Sequence, residues 1–85
     1  MMMENELIKN LEKIHTTEMG IDRIKKNLSL ECDDVVEWCK NQIRLAGMQD
    51  GEKISRKGKN WYVDIDWGII TVNAYSYTII TAHKK

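Results

Sequence analysis

The stretch "WYVDIDWGIITVNAYSYTIITAH", Trp61–His83, predicts a β-sheet, because many of its apolar residues recur at every second position. Trp61, Val63 and Ile65 alternate with polar residues, which is typical of a strand with one buried face. "DWG" marks a turn. The β-branched runs 69–74 and 77–82 follow, separated only by "YS", so they are predicted to pair as a hairpin. The stretch therefore predicts an antiparallel meander.

The residues before this stretch have a helical period instead. Leu7, Leu11 and Ile14 share one face of a first predicted helix. A second is expected to begin after the cap Thr17, with its buried side marked by residues 21, 24 and 28. A third follows Asp34, which has capping-box spacing to Glu37, and is predicted to stop at Gly47. Residues 48–53 are predicted to be a loop.

We therefore predict an α+β fold in which two or three N-terminal helices pack on one face of a three- to four-stranded antiparallel sheet. All 85 residues form one predicted domain, helical over 1–47 and a meander over 53–83. A chain this short buries only a modest core, which favours a homo-oligomer.

Composition limits the classes of function. The net charge is zero, but residues 1–50 carry seven Lys/Arg and ten Asp/Glu (−3), whereas residues 51–85 carry six and three (+3). Neutrality disfavours duplex DNA, while the basic half allows a small anionic ligand. Two cysteines without metal-ligand spacing predict free thiols in a reducing cytosol, and no metal or cofactor is expected. The sequence has no signal peptide and no apolar run long enough to span a membrane.

The polar positions of the meander are the candidate site. Alternation places Ile70, Val72 and Ala74, with Thr78, Ile80 and Ala82, in the row that the helices should cover. The opposite face is then predicted to hold Ile69 and Ile79 and to gather the following polar residues: Tyr62, Asp64, Thr71, Asn73, Tyr77, Thr81 and His83. A solvated face rich in good strand formers is the simpler interpretation. An uncharged, aromatic polar face is also typical of recognition surfaces.

Our leading hypothesis is a non-catalytic protein that holds a small, nucleotide-like anion on this face or at a subunit interface. Tyr75 and Tyr77 would stack, and Asn73, Thr71 and Thr81 would donate or accept hydrogen bonds. The phosphate would be met by His83, Lys84, Lys85 and Arg56. Trp67, in a turn, is the predicted exposed aromatic that meets a partner subunit.

The segments "IHTTEMGIDRIKKNLSL", "DDVVEWCKNQI" and "ITVNAYSYTIITAHK" resemble the small bacterial proteins grouped as domain of unknown function 3781. That resemblance implies no activity. A weaker likeness links the order of helices and strands to barnase, colicin and RelE-type ribonucleases. It implies an alternative, a metal-independent ribonuclease that uses His83, Thr81 and Tyr77 with Lys59 or Arg56.

Two further interpretations stay open. Small phage-encoded proteins that sequester signalling nucleotides are similar in size and architecture, which fits the leading hypothesis. The other alternative is a protein-binding inhibitor or adaptor that uses the acids around the third helix, namely Glu31, Asp33, Asp34 and Glu37. These four acids are explained more simply as partners of the helix dipole. Catalysis is thus not excluded by the sequence, although the leading hypothesis does not require it.

Overall fold

A computed structural model describes residues 6–49 and 53–84. Its helices are α1 (Glu6–Lys9), a 3-10 helix (Leu11–Lys13), α2 (Glu18–Leu28) and α3 (Val35–Gln49). The strands are β1 (Ile54–Lys57), β2 (Asn60–Asp64), β3 (Gly68–Asn73) and β4 (Ile79–Lys84). They form one antiparallel sheet in the order β1-β2-β3-β4, so the predicted α+β fold is confirmed.

The helices lie on one face of the sheet. α2 packs along β4 and α3 lies against β2. The core joins Ile24, Leu28 and Ile43 of the helices to strand residues such as Val63 and Ile70, all of them buried. The opposite face of the sheet, called here the open face, carries the alternate strand positions.

Two predicted helix caps are present. Thr17 precedes α2 and its hydroxyl oxygen accepts from the Gly20 amide at 3.0 Å. The Asp34 carboxylate accepts from the Glu37 amide at 3.0 Å at the start of α3. Each side chain satisfies one of the amides that a helix N-terminus leaves without an intrahelical acceptor.

The helical segments differ from the predictions in two places. The first predicted helix is divided into α1 and the 3-10 helix, although Leu7 and Ile14 are buried as expected. Gly47 does not end α3, which continues to Gln49. A Cβ on Gly47 would lie 2.8 Å from the Ile8 side chain, so this glycine allows α1 and α3 to approach each other closely.

The β3–β4 connection is longer than predicted, and it changes which residues face the core. The turn spans residues 74–78, and the register shifts from Thr71↔Thr81 to Val72↔Ile79. Ile80 is therefore an extra residue in β4, and it is 43% exposed, whereas Ile79 is 2% exposed. The prediction that Ile80 belongs to the buried row and Ile79 to the open face was wrong, because a β-bulge reverses the alternation.

The outer edge of β4 is covered by side chains and backbone from the helical half. His15 forms a parallel bridge with Thr78, and its backbone oxygen accepts from the Ile79 amide at 2.8 Å. Thr16 Oγ1 donates to the Ile79 carbonyl at 3.0 Å, and Asn27 Nδ2 donates to the Ala82 carbonyl at 3.2 Å. An edge strand is otherwise free to pair with another chain, so these contacts block that pairing.

Candidate functional site

The predicted ligand-binding residues do not form one site. Thr71 and Thr81 lie in the middle of the open face, paired with each other across β3 and β4. His83 is on the same face near the far end of β4, paired with Ile69. Arg56, Tyr75 and Tyr77 lie elsewhere, and Lys85 is outside the described residues.

Hydroxyl groups form a row across the open face. Ser55 pairs with Tyr62, Tyr62 with Thr71, and Thr71 with Thr81, so one position on each of the four strands carries a hydroxyl. Thr71 is only 6% exposed within this row. Its side chain is therefore screened from solvent by its neighbours.

Lys84 and His83 point to opposite faces, because they are consecutive residues of one strand. The Lys84 ammonium donates to the Ser29 hydroxyl at 3.2 Å, beside the C-terminus of α2. The structure thus separates the two residues that were predicted to meet one phosphate.

Four of the predicted residues, Arg56, Asn73, Tyr75 and Tyr77, are at the other end of the sheet. Here the β1–β2 turn, residues 58–59, contacts the β3–β4 turn, residues 74–78, and we call this region the hairpin end. The Ala74 amide donates to the Lys59 carbonyl at 2.7 Å, which joins the two turns.

The β1–β2 turn follows from its sequence. Lys57 pairs with Asn60, which leaves a two-residue loop, and Gly58 has a φ of +57°. A glycine with positive φ in the first loop position is the pattern of a type II′ hairpin turn. The tight turn keeps Lys57 and Lys59 exposed on either side of Gly58.

Arg56 occupies the space between two aromatic rings. Its guanidinium carbon is 5.4 Å from the ring centroid of Trp61 and 5.6 Å from that of Tyr75. Both distances are within the range of a cation–π interaction. Arg56 Nε also donates to the Gly58 carbonyl at 3.0 Å, which fixes the orientation of the guanidinium plane.

Asn73 organises the β3–β4 turn. Its side-chain oxygen accepts from the amides of Tyr75 and Ser76, each at 2.9 Å, and from the Ser76 hydroxyl at 3.2 Å. An asparagine that bonds to the backbone two residues ahead forms an Asx-turn. Asn73 thus positions Tyr75 through the backbone, which differs from the predicted direct contact with a ligand.

The turn exposes one tyrosine and packs the other. Tyr75 is 71% exposed. Tyr77 packs against the core, has a φ of +60°, and lies 5.8 Å below the Lys13 ammonium. The prediction that Tyr77 lies on the open face was wrong, because the longer turn directs its ring toward the helical layer.

The charges at the hairpin end have one sign. Residues 56–60 include Arg56, Lys57 and Lys59, and neither they nor residues 73–78 include an acid. Lys13 adds a further cation beside Tyr77. Cations that surround exposed aromatic surface can bind an anion that carries a flat ring.

Trp61 contributes the aromatic surface beneath Arg56. The residue is 8% exposed, and its indole nitrogen has no hydrogen-bond partner within the described part of the chain. The sequence had indicated only a core role for Trp61. Trp61 and Arg56 occupy paired positions in neighbouring strands, so their side chains lie on the same face of the sheet. This pairing was the signal that the two would meet.

Other described parts of the chain have fewer features of a binding site. A small cavity of about 30 Å³ lies between Gln42 of α3 and Ile65, which is room for about one water molecule. Trp67 is 50% exposed and meets Trp38 edge to face at 6.1 Å, so it is an exposed aromatic as predicted.

Residues 6–49 and 53–84 contain no group of three His, Cys, Asp or Glu side chains placed to bind a metal. Across the same ranges, no helix is both long and apolar enough to cross a membrane.

The cysteines are free thiols in different environments. Cys39 is buried and Cys32 is half-buried. Burial raises the pKa of the Cys39 thiol from its ordinary value of 9.0 to about 12, and the charge of nearby Cys32 contributes to the rise. A thiol that stays protonated is a poor nucleophile, so Cys39 is a packing residue.

Comparison with known proteins identifies one family. The family model described as "Protein of unknown function (DUF3781)" matches residues 8–83. No curated protein and no solved structure matches the chain, so the likeness to ribonuclease folds is not supported.

Proposed function

Because the chain belongs to the DUF3781 family of proteins of unknown function, we propose its function from the geometry: it is a non-catalytic binding protein that holds a small, nucleotide-like anion at the hairpin end. The site differs from the open face predicted from strand alternation. The leading ligand class stays the same.

The observation that carries the proposal is the position of Arg56 between Trp61 and exposed Tyr75. A guanidinium held between two rings keeps its terminal N–H groups available to a phosphate in a fixed plane. The outer face of Tyr75 is available for a base, since stacking requires only a π-face. Lys57 and Lys59 add positive charge within the same turn.

The positions of the two histidines favour a binding role over catalysis. His15 is the histidine nearest to the hairpin end, and both of its ring nitrogens are engaged, with the Lys13 carbonyl and with Thr78. His83 is near the opposite end of β4 from the turn. A ribonuclease site would need histidine, arginine and tyrosine together, whereas His83 and Arg56 project from opposite faces of the sheet.

The proposal also includes a reducing, cytoplasmic location, which the two free thiols support. A homo-oligomer remains part of the proposal. Its support is the hydroxyl row of the open face, together with exposed Trp67, either of which a second copy could cover. The adaptor alternative has less support, because Asp34 is already used as a helix cap.

Isothermal titration against a panel of nucleotides tests the proposal. We expect binding by the unmodified protein and an affinity about 10- to 100-fold lower for Arg56→Gln, since hydrogen bonds to charged groups contribute about 1.5–3 kcal/mol. His83→Gln is the matched control and should bind normally. The proposal fails if no nucleotide binds at millimolar concentration, or if His83→Gln abolishes binding while Arg56→Gln does not.

A further inference from the structure

A chain of hydrogen bonds connects His15 to the turn that carries Tyr75. His15 Nδ1 lies 2.8 Å from the Lys13 carbonyl oxygen, and Nε2 lies 3.1 Å from Thr78 Oγ1. Thr78 Oγ1 is 2.8 Å from Ser76 Oγ, which in turn is 3.2 Å from Asn73 Oδ1. The chain therefore has four contacts, and its two ends, the Lys13 carbonyl and Asn73 Oδ1, can only accept.

The number of hydrogens available depends on the charge of His15. A neutral imidazole carries one N–H, and Thr78 and Ser76 each carry one O–H, so three hydrogens must serve four contacts. With the ring hydrogen on Nδ1, the Thr78 hydroxyl must donate to Nε2. The Ser76 hydroxyl can then donate to Thr78 or to Asn73 Oδ1, but not to both.

An imidazolium supplies the missing hydrogen. Nδ1–H donates to the Lys13 carbonyl and Nε2–H donates to Thr78 Oγ1. The Thr78 hydroxyl then donates to Ser76, and the Ser76 hydroxyl donates to Asn73. All four contacts become hydrogen bonds with a single direction, and each hydroxyl in such a chain polarises the next.

We infer that His15 is a positioning residue for the β3–β4 turn, and that gaining a proton on its ring tightens the turn around Asn73 and Tyr75. The sign follows from proton linkage. The charged ring supplies one hydrogen more than the neutral ring, so the stabilisation of the turn is present when the ring carries the extra proton and is lost when that proton is released. For a ligand at the hairpin end, affinity then rises as the pH falls, and this consequence rests on the proposed function.

Charged or titratable residues flank His15 in the sequence and occur in the turn that it contacts. Lys13 and Glu12 belong to the preceding 3-10 helix, and Glu18 begins α2. The Tyr77 hydroxyl belongs to the turn, and the Lys13 ammonium lies 5.8 Å from the Tyr77 ring centroid.

An NMR pH titration of the free protein tests the inference without a ligand. The amides of Tyr75 and Ser76, which donate to Asn73, should shift with the same midpoint as the His15 ring. In His15→Gln the inflection of these amide shifts should disappear, because the glutamine side chain does not titrate. The protein has two histidines, so His83→Gln is the matched control and should leave the inflection of the Tyr75 and Ser76 amide shifts unchanged.

Thr78→Val provides an independent variant that leaves His15 able to titrate but interrupts the hydrogen-bond chain. In this variant the chemical shifts of the Tyr75 and Ser76 amides should no longer change with the protonation of the His15 ring. The inference is overturned if these amides are insensitive to pH while His15 titrates, or if their inflection survives in Thr78→Val.

Binding of a dinucleotide provides the functional measurement. Its phosphodiester keeps one charge over this range, so the probe itself does not titrate. We expect binding about three- to tenfold tighter at about pH 6 than at about pH 8, the effect of one net hydrogen bond. If the dinucleotide binds with equal affinity at both pH values, the linkage to the site is wrong. If it binds at neither pH, the proposed function fails, while the amide titration still decides the role of His15.

Discussion

Arg56 and Tyr75 meet at the hairpin end, where the guanidinium carbon lies 5.6 Å from the centroid of the tyrosine ring. Arg56 belongs to β1 and Tyr75 to the turn after β3, so the contact depends on the correct pairing of all strands between them. This contact is also the reason that the basic hairpin is a candidate anion-binding site.

Removing Arg56 should uncover Trp61. In Arg56→Ala the indole loses the side chain above its ring, and the stability should fall by about 0.5–1 kcal/mol, as for an exposed cation–π pair. With Trp38 and Trp67 replaced by Phe, emission from Trp61 should shift to longer wavelength. Lys57→Ala in the same background is the control and should leave the emission unchanged.

Asn73 should stabilise the turn through its side-chain oxygen. Asn73→Ala leaves the amides of Tyr75 and Ser76 without their acceptor, and we expect a loss of about 1–3 kcal/mol in urea unfolding. Asn73→Asp retains the acceptor oxygen and should be less destabilised. Equal losses in the two variants would show that the hydrogen bonds to Oδ1 are not what stabilises the turn.

The edge of β4 should depend on Asn27. Asn27→Leu removes the donor to the Ala82 carbonyl, so we expect a loss of about 0.5–1.5 kcal/mol and more self-association. Asn41→Leu is the matched control, because Asn41 is exposed on α3 and its side chain accepts from Arg44 rather than contacting the sheet edge. Urea unfolding and light scattering measure the two effects, and identical behaviour of the variants would contradict the role given to Asn27.

The two thiols should react at different rates. In the native protein Cys32 should be alkylated while Cys39 is protected, and mass spectrometry identifies the modified residue. Because folding raises the pKa of Cys39 from 9.0 to about 12, the unfolded chain releases this proton first as the pH rises. The free energy of unfolding should therefore decrease above about pH 9, and Cys39→Ala should show less of this decrease.

The sequence was sufficient to predict the layers of the fold but not the faces of the last strand. Alternation in Trp61–Ile65 and in Ile70–Ala74 matches the buried residues, because regular strands follow a period of two. At Ile80 the prediction failed. A bulge adds one residue, so Thr81, Ala82 and His83 lie on the predicted faces, whereas the β4 residue before the bulge, Ile79, lies on the opposite face from the predicted one.

The candidate site was predicted only as a set of residue types. Arg56, Asn73, Tyr75 and Tyr77 were selected for their chemistry, and they do lie at one end of the sheet. Their separation from His83 and Lys84 depends on strand register and on the length of one turn. No sequence pattern indicated Lys13, which reaches Tyr77 only through tertiary packing.

An NMR titration of the unmodified protein with a nucleotide shows whether the hairpin end is the binding site. We expect the largest amide shifts on residues 56–60 and 73–78, around Arg56 and Tyr75. Shifts centred on Thr71, Thr81 and His83, with residues 56–60 unchanged, would contradict this expectation.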